Sequence, residues 1–183
     1  MRPTPREYDG RAMEASQKPI EVRRAHPPDA DAFAEFMRAA WREAGPDAPG
    51  FAGATDAVID EITQTDAVVE RMTGSDRTMH LAWLGDRVVG FSAMRRIDDD
   101  CIELAGIIVN RDSAGRGVGR SLVAASLEEA VSDGFSTAIV RTECDNDVAQ
   151  AFYERLGFSN PVITIEWVGD VPVEVVELSR ALP

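Results

Sequence analysis

Apolar and polar residues change rhythm several times along this chain, and each change marks an element. Ile20-Glu21-Val22 alternates as a short strand does. Pro27-Pro28-Asp29 stops it, with Asp29 placed to cap the next helix. There Phe33, Phe36, Met37, Ala40, Trp41 and Ala44 share one face, and Gly45-Pro46 ends the run. A second helix is predicted from Thr55 to Gly74, with Val58, Ile62, Val69 and Met72 inward. Strands at 79–84 and 87–96 flank Gly85-Asp86, where glycine comes first as a type II′ hairpin turn requires. Cys101–Val109 is apolar on both faces over most of its length and reads as a central strand. A glycine-rich turn leads into a helix carrying Gly119, Val123, Leu127 and Ala130 on one stripe, closed by Gly134. Residues 137–142 form another buried strand, a helix runs from Asn146 to Gly157, and strands at 162–167 and 173–178 surround Gly169-Asp170. The order is β-α-α-β-β-β-α-β-α-β-β, without repeats or an internal linker. Residues 1–18 are polar, rich in charge and proline, and read as a disordered leader, leaving 19–183 as a single domain.

Composition narrows the function classes. With 44% hydrophobic residues, 183 residues can bury a full core without metal or disulfide. Cys101 and Cys144 show no metal-ligand spacing, and Asp98-Asp99-Asp100 lacks the spaced ligands and glycine of a calcium loop. No metal is expected. No apolar run approaches the ~18 residues of a membrane span, and residues 1–6 lack a signal peptide's apolar segment, so a cytoplasmic protein is expected. The net charge of -13, with Lys18 the only lysine, repels phosphate backbones and argues against a nucleic-acid partner. The acids are spread along the whole chain. That distribution fits adaptation to high internal salt better than a field gathering cationic substrates.

Candidate chemistry begins at Ala114-Gly115-Arg116-Gly117-Val118-Gly119, between a strand and a helix. Glycine lets the backbone approach a ligand closely, and the free N–H groups of the helix start make an anion site suited to pyrophosphate. Arg116 and Arg120 stand at its rim. The alternate glycines break the G-x-G-x-x-G dinucleotide spacing. A P-loop fails too, because Ala114 replaces its first glycine and Arg120 its lysine.

The segment Asn146-Asp147-Val148-Ala149-Gln150-Ala151-Phe152-Tyr153-Glu154-Arg155-Leu156-Gly157-Phe158 adds a second motif. Asn146 can cap its helix, Tyr153 lies about two turns further on roughly the same face, and Gly157 suits the C-terminal cap. Together the two motifs resemble the GNAT N-acetyltransferase family, whose loop reads R/Q-x-x-G-x-G/A and whose helix reads N-x-x-A-x-x-x-Y-x-x-x-G-F. The helix matches at every position. The loop departs at Ala114, where the family usually has arginine or glutamine, and at Arg111, where a proline is common. The resemblance covers roughly residues 20–180.

It implies an α/β (α+β) acyl-CoA N-acyltransferase fold, with a mixed, mostly antiparallel sheet of about seven strands and four flanking helices. The sheet should splay between the fourth and fifth strands, here Cys101–Val109 and Thr137–Glu143. It also implies transfer of an acetyl group from acetyl-CoA to a primary amine of a small molecule or peptide by direct attack in a ternary complex, with a homodimer allowed. The backbone of Ile107, Ile108 and Val109 would pair with pantetheine, and an N–H there would hold the developing oxyanion. Ala114, Gly115, Arg116, Gly117, Val118, Gly119, Arg120 and Asn146 would contact the coenzyme. Tyr153 would protonate the leaving thiolate, and Glu103, expected on a strand face with Ala105 and Ile107, would be the base, with Glu143 and Glu166 as weaker alternatives. A covalent route through Cys144 lacks a histidine close in sequence. The competing class is a non-catalytic acyl-CoA-binding regulatory module, favoured only by Ala114.

Overall fold

The computed structural model describes residues 19–44, 55–168 and 171–183. The leader expected at 1–18, the helix stop at Gly45-Pro46 and the turn at Gly169-Asp170 lie outside these residues. In chain order come β1 (Ile20–Arg24), α1 (Ala30–Ala44), α2 (Asp56–Ile62), α3 (Thr65–Thr73), β2 (Arg77–Leu84), β3 (Arg87–Arg96), β4 (Cys101–Val109), α4 (Val118–Ser132), β5 (Thr137–Glu143), α5 (Asp147–Arg155), β6 (Ser159–Val168) and β7 (Val171–Ala181). Short 3-10 turns occupy Pro27–Asp29 and Arg111–Ser113. Among the described residues the strands form one seven-stranded sheet in the order β1-β2-β3-β4-β5-β7-β6, in which only β4 and β5 pair in parallel.

Both faces of the sheet are covered. On one, Phe33, Phe36 and Met37 of α1 and Val68 and Met72 of α3 pack on Met79, Leu81 and Phe91. Burying a side chain of this size contributes about 1.5–3 kcal/mol, which is why the amphipathic stripe of α1 decides where that helix lies. On the other face, Val123, Leu127 and Ala130 of α4 meet Ile102 and Leu104 of β4, Val140 of β5 and Leu178 of β7. The β2–β3 hairpin turns at Gly85, whose φ of 69° is the left-handed value that a type II′ turn needs at its first central residue.

Two expectations need correction here. The helix expected over 55–74 is two helices, so among the described residues five helices flank the sheet rather than four. Thr63 breaks it: its hydroxyl donates to the Ile59 carbonyl (2.6 Å), Gln64 turns extended, and Arg38 and Arg71 donate to the carbonyls of Thr63 and Ile62. The break resets the helical phase, so Ile59 and Val68 are buried while Val58 is exposed. Asp29, expected to cap α1, instead accepts from the His26 N–H (2.9 Å) and both terminal nitrogens of Arg23 (2.7 and 2.8 Å).

The feature that positions the site is the interruption between β4 and β5. Their parallel pairing runs from Cys101↔Thr137 to Leu104↔Val140 and stops. β4 continues along β3 to Val109, and β5 continues along β7 to Glu143. On β4 the register against β3 jumps from Met94↔Leu104 to Ala93↔Gly106, leaving Ala105 as an extra residue. A bulge of this kind bends its strand, and here it sits where the two strands part. It also shifts the alternation by one. Ile107 therefore packs on the α4 side with Leu104, and Ile108 packs on the α1 side. The shared face expected for Glu103, Ala105 and Ile107 is broken by the bulge.

Candidate active site

The loop between β4 and α4 is shaped by its own side chains before any ligand is considered. Asn110 accepts from the Asp112 N–H (2.8 Å) and starts the 3-10 turn, whose end buries Ser113. Gly115 and Gly117 then take φ of 73° and 81°, and a Cβ added to either would meet nothing within 4 Å. Both glycines thus border open space in a conformation that other residues rarely adopt. Gly117 is the N-cap of α4. Among the described residues no backbone carbonyl accepts from the N–H groups of Gly115, Gly117, Val118, Gly119 or Arg120. Five donors and the positive end of a 15-residue helix converge there.

α5 forms the opposite wall. The Asn146 side chain caps it by accepting from the Ala149 N–H (3.1 Å). The Gln150 amide donates to the carbonyls of Glu143 (3.3 Å) and Cys144 (3.0 Å), which ties α5 to the end of β5. At the other end Gly157, with φ of 86°, lets the Phe158 N–H reach the Tyr153 carbonyl (3.1 Å) and its own N–H reach that of Glu154 (2.9 Å). This is a Schellman ending. Its hydrophobic contact is Phe158 against Tyr153, with ring centroids 5.9 Å apart, and Phe152 touches Tyr153 on another side at 5.2 Å. Tyr153 is thereby held in one place, 7% exposed. Burial, with the Glu143 carboxylate nearby, pushes its phenol up to about 12.

Loop, helix and strand enclose a cleft of about 860 Å³. Of the residues expected to hold the coenzyme, Ile107, Val109, Ala114, Gly115, Gly117, Val118, Gly119, Arg120, Asn146 and Tyr153 line it. Arg116 is exposed and lies outside the wall. Ile108 faces a second opening of about 340 Å³ on the α1 side of the gap, with Met37, Trp41, Phe91, Arg141 and Glu143. Ile107 and Asn146 border both, so these two residues form a shared wall where β4 and β5 separate.

Glu103 borders neither opening. It is 4% exposed. One carboxylate oxygen accepts from Arg95 Nε (3.0 Å) and Nη2 (2.5 Å), the other from Arg141 Nη1 (3.1 Å). Arg141 in turn pairs with Glu166 (3.5 Å) and Glu177 (2.7 Å). Cys144 packs half-buried against the α4–α5 core and lines neither opening.

A model of the acetyltransferase (GNAT) family matches residues 31–158. The chain belongs to that family. Among curated relatives of this GNAT-family chain, a mycothiol acetyltransferase from Corynebacterium efficiens is 36% identical over 77 residues, which are 42% of this chain and 26% of that protein. N-alpha-acetyltransferase 30 from Schizosaccharomyces pombe is 36% identical over 55 residues, 30% of this chain and 37% of its own. The chain thus spans well under half of either relative. Among solved structures, PaiA N-acetyltransferase from Thermoplasma acidophilum in complex with coenzyme A superposes with a TM-score of 0.65 at 18% identity, covering 87% of this chain and 98% of that one. The ribosomal-protein-S18-alanine N-acetyltransferase from Escherichia coli gives 0.63 at 16%, covering 89% and 94%. At such identities these structures establish the GNAT fold.

Some lining residues of this GNAT cleft are not in the motif reading. Val148, Ala149, Phe152 and Arg155 face it from α5. The signal was available: 148, 152 and 155 follow the i, i+4, i+7 spacing of one helix face. Val148 is 81% exposed, an apolar side chain on the wall of the cleft. Among the described residues Arg120 and Arg155 make no ion pair.

Proposed function

We propose that this chain transfers an acetyl group from acetyl-CoA to a primary amine of a small molecule or peptide, both bound at once across the β4–β5 gap. The observation that carries this reading is the wall that the two openings share: Ile107 and Asn146 border both. The larger opening carries the unpaired N–H groups of the α4 start and the buried Tyr153, and the smaller lies on the other face of the sheet with Glu143 and Arg141. The five N–H groups at the start of α4 would take the pyrophosphate, with Arg120 and Arg155 supplying the positive charge that Ala114 does not. The edge of β4 beyond Leu104 would pair with pantetheine, and one of its N–H groups would polarise the thioester carbonyl. The amine nitrogen attacks that carbon, the C–S bond breaks, and Tyr153 gives its proton to the sulfur. A phenol held near 12 is protonated throughout the neutral range, as this role demands.

Glu103 does not suit the base role expected of it. With both oxygens held by guanidinium groups and no wall in either opening, it supports the fold beside the site. The relatives named above act at different acceptors by their names, and this reading takes from them only that amines of small molecules and of peptides are both acceptors in the family.

The test is thiol release from acetyl-CoA in the presence of a peptide beginning with alanine, Nα-acetyl-lysine amide or 2-phenylethylamine. Amine-dependent release with matching N-acetylated product is expected. Tight acetyl-CoA binding without release for any amine would favour the binding-only module instead.

A further inference from the structure

We propose that Glu143 is the general base of this site: it takes the proton from the acceptor amine, directly or through one water. The inference rests on the acetyl-transfer reading and assigns the residue that reading leaves open. Glu143 is the last residue of β5, just beyond the point where β4 departs. Strand alternation turns Thr142 into the acetyl-CoA opening and Arg141 and Glu143 into the other. Glu143 therefore borders the opening on the α1 side, beside Asn146, which both openings share. Its carbonyl is held by the Asn146 N–H (3.1 Å) and the Gln150 amide (3.3 Å), so the backbone that aims it is fixed.

Its carboxylate is available. Among the described residues it forms no ion pair, and its one hydrogen bond is a 3.4 Å contact from the Thr142 hydroxyl. The other acids on this sheet face are engaged: Glu103 by Arg95 and Arg141, Glu166 and Glu177 by Arg141. Arg141 is thus shared among three carboxylates and leaves Glu143 alone. Among the described residues Glu143 is the one carboxylate in the lining of this opening, which includes no histidine. Glu143 also lies close enough to Tyr153 for its charge to push the phenol up. Acid and base then border the two openings on opposite faces of the sheet, with Ile107 and Asn146 between them. The proton balance is complete: the nitrogen loses a proton to Glu143, the N–C bond forms, the C–S bond breaks, and sulfur gains the proton of Tyr153. The apolar walls around this carboxylate, Met37, Trp41, Phe91 and Ile108, favour an acceptor whose amine is carried on an apolar or aromatic body.

The experiment compares wild type with Glu143→Gln, using the same three amines from pH 6.5 to 10. For the variant, kcat/KM at pH 7 is expected to fall about 10²–10⁴-fold, with acetyl-CoA affinity within threefold of wild type. The deficit should shrink as pH approaches the acceptor's own pKa, about 8 for the alanyl peptide and about 10.4 for the lysine side chain, because a neutral amine no longer needs a base. Glu143→Asp should recover part of the rate. A deficit that stays constant with pH, or activity within threefold of wild type, would overturn the assignment of Glu143 while leaving acetyl transfer intact. No turnover by wild type with any amine would overturn the acetyl-transfer reading and this assignment with it.

Discussion

Replacing Tyr153 with phenylalanine removes one oxygen and leaves the ring contacts to Phe152 and Phe158 in place. No hydrogen bond to that hydroxyl forms among the described residues, so the stability cost at pH 7 should stay within ~0.5 kcal/mol. The catalytic effect follows from acidity. The phenol sits at about 12, whereas a coenzyme thiol resembling free cysteine sits near ~8.5. Complete proton transfer to a relaxed thiolate is then uphill by roughly 3.5 units, about 4.8 kcal/mol. Tyr153 acts mainly while C–S cleavage is still in progress and sulfur is more basic. The loss of kcat should therefore fall near the low end of the ~10²–10⁴ range for general acids. Steady-state turnover with the most active amine, alongside a thermal melt and an acetyl-CoA titration, reads all three quantities. The same shift has a second signature. A group whose folded pKa lies above its unfolded value of ~10 gives stability that is complete below pH ~10 and lost as pH rises towards about 12. Wild type should lose up to ~2.7 kcal/mol more than the variant across that window. A variant with unchanged kcat, or one that loses fold and coenzyme binding together, would refute the acid role.

Other perturbations test neighbouring parts of the account. Gly117→Val puts a branched side chain at φ 81° with nothing within 4 Å to clash. It should cost about 1–2 kcal/mol in chemical denaturation yet weaken acetyl-CoA by at least about 100-fold in calorimetry, because the space it fills is the ligand's. Equal, small effects on both would refute the anion-site reading. Glu103→Gln removes the carboxylate from Arg95 while Arg141 keeps Glu166 and Glu177, and should cost about 1–3 kcal/mol, because Arg95 is partly exposed. A loss below ~0.5 kcal/mol would show that the carboxylate does not hold the sheet there. His80 is a buried residue of β2 that faces α4, with Nε2 3.0 Å from Glu129 and Nδ1 3.3 Å from Ser126. Burial, then the charge of Arg24, holds its pKa below the usual histidine value. Its stabilising contribution is complete above pH ~6.5 and is lost as pH falls, so a His80→Gln variant should show a shallower decline than wild type between pH 6.5 and 5. Parallel melting curves would contradict the assignment of a neutral His80.

The sheet was legible in the sequence because its strands carry strong periodic signals and its turns carry glycine at positions that need it, as at Gly85 and Gly157. The walls of the larger cleft were legible for the same reason: Gly117, Gly119, Asn146 and Tyr153, which all line it, are set by local backbone demands that leave a motif. What could not be read was long-range. The break at Thr63 depends on Arg38 reaching across from α1 to a freed carbonyl. The bulge at Ala105 follows from register against β3, and no residue type announces it; one extra residue was enough to misplace Glu103 relative to Ile107. The distinction between Glu103 and Glu143 required knowing which acids Arg95 and Arg141 neutralise. Arg155 was missed because a motif names positions and does not describe the rest of the helix face.

The central claim is that the cleft between the α4 N-terminus and α5 binds acetyl-CoA. Isothermal titration of acetyl-CoA into the protein tests it directly, with Gly117→Val as the blocked control. The account predicts one site with a dissociation constant on the order of micromolar, lost in the control. Absence of binding to wild type, or equal binding by both proteins, would contradict it.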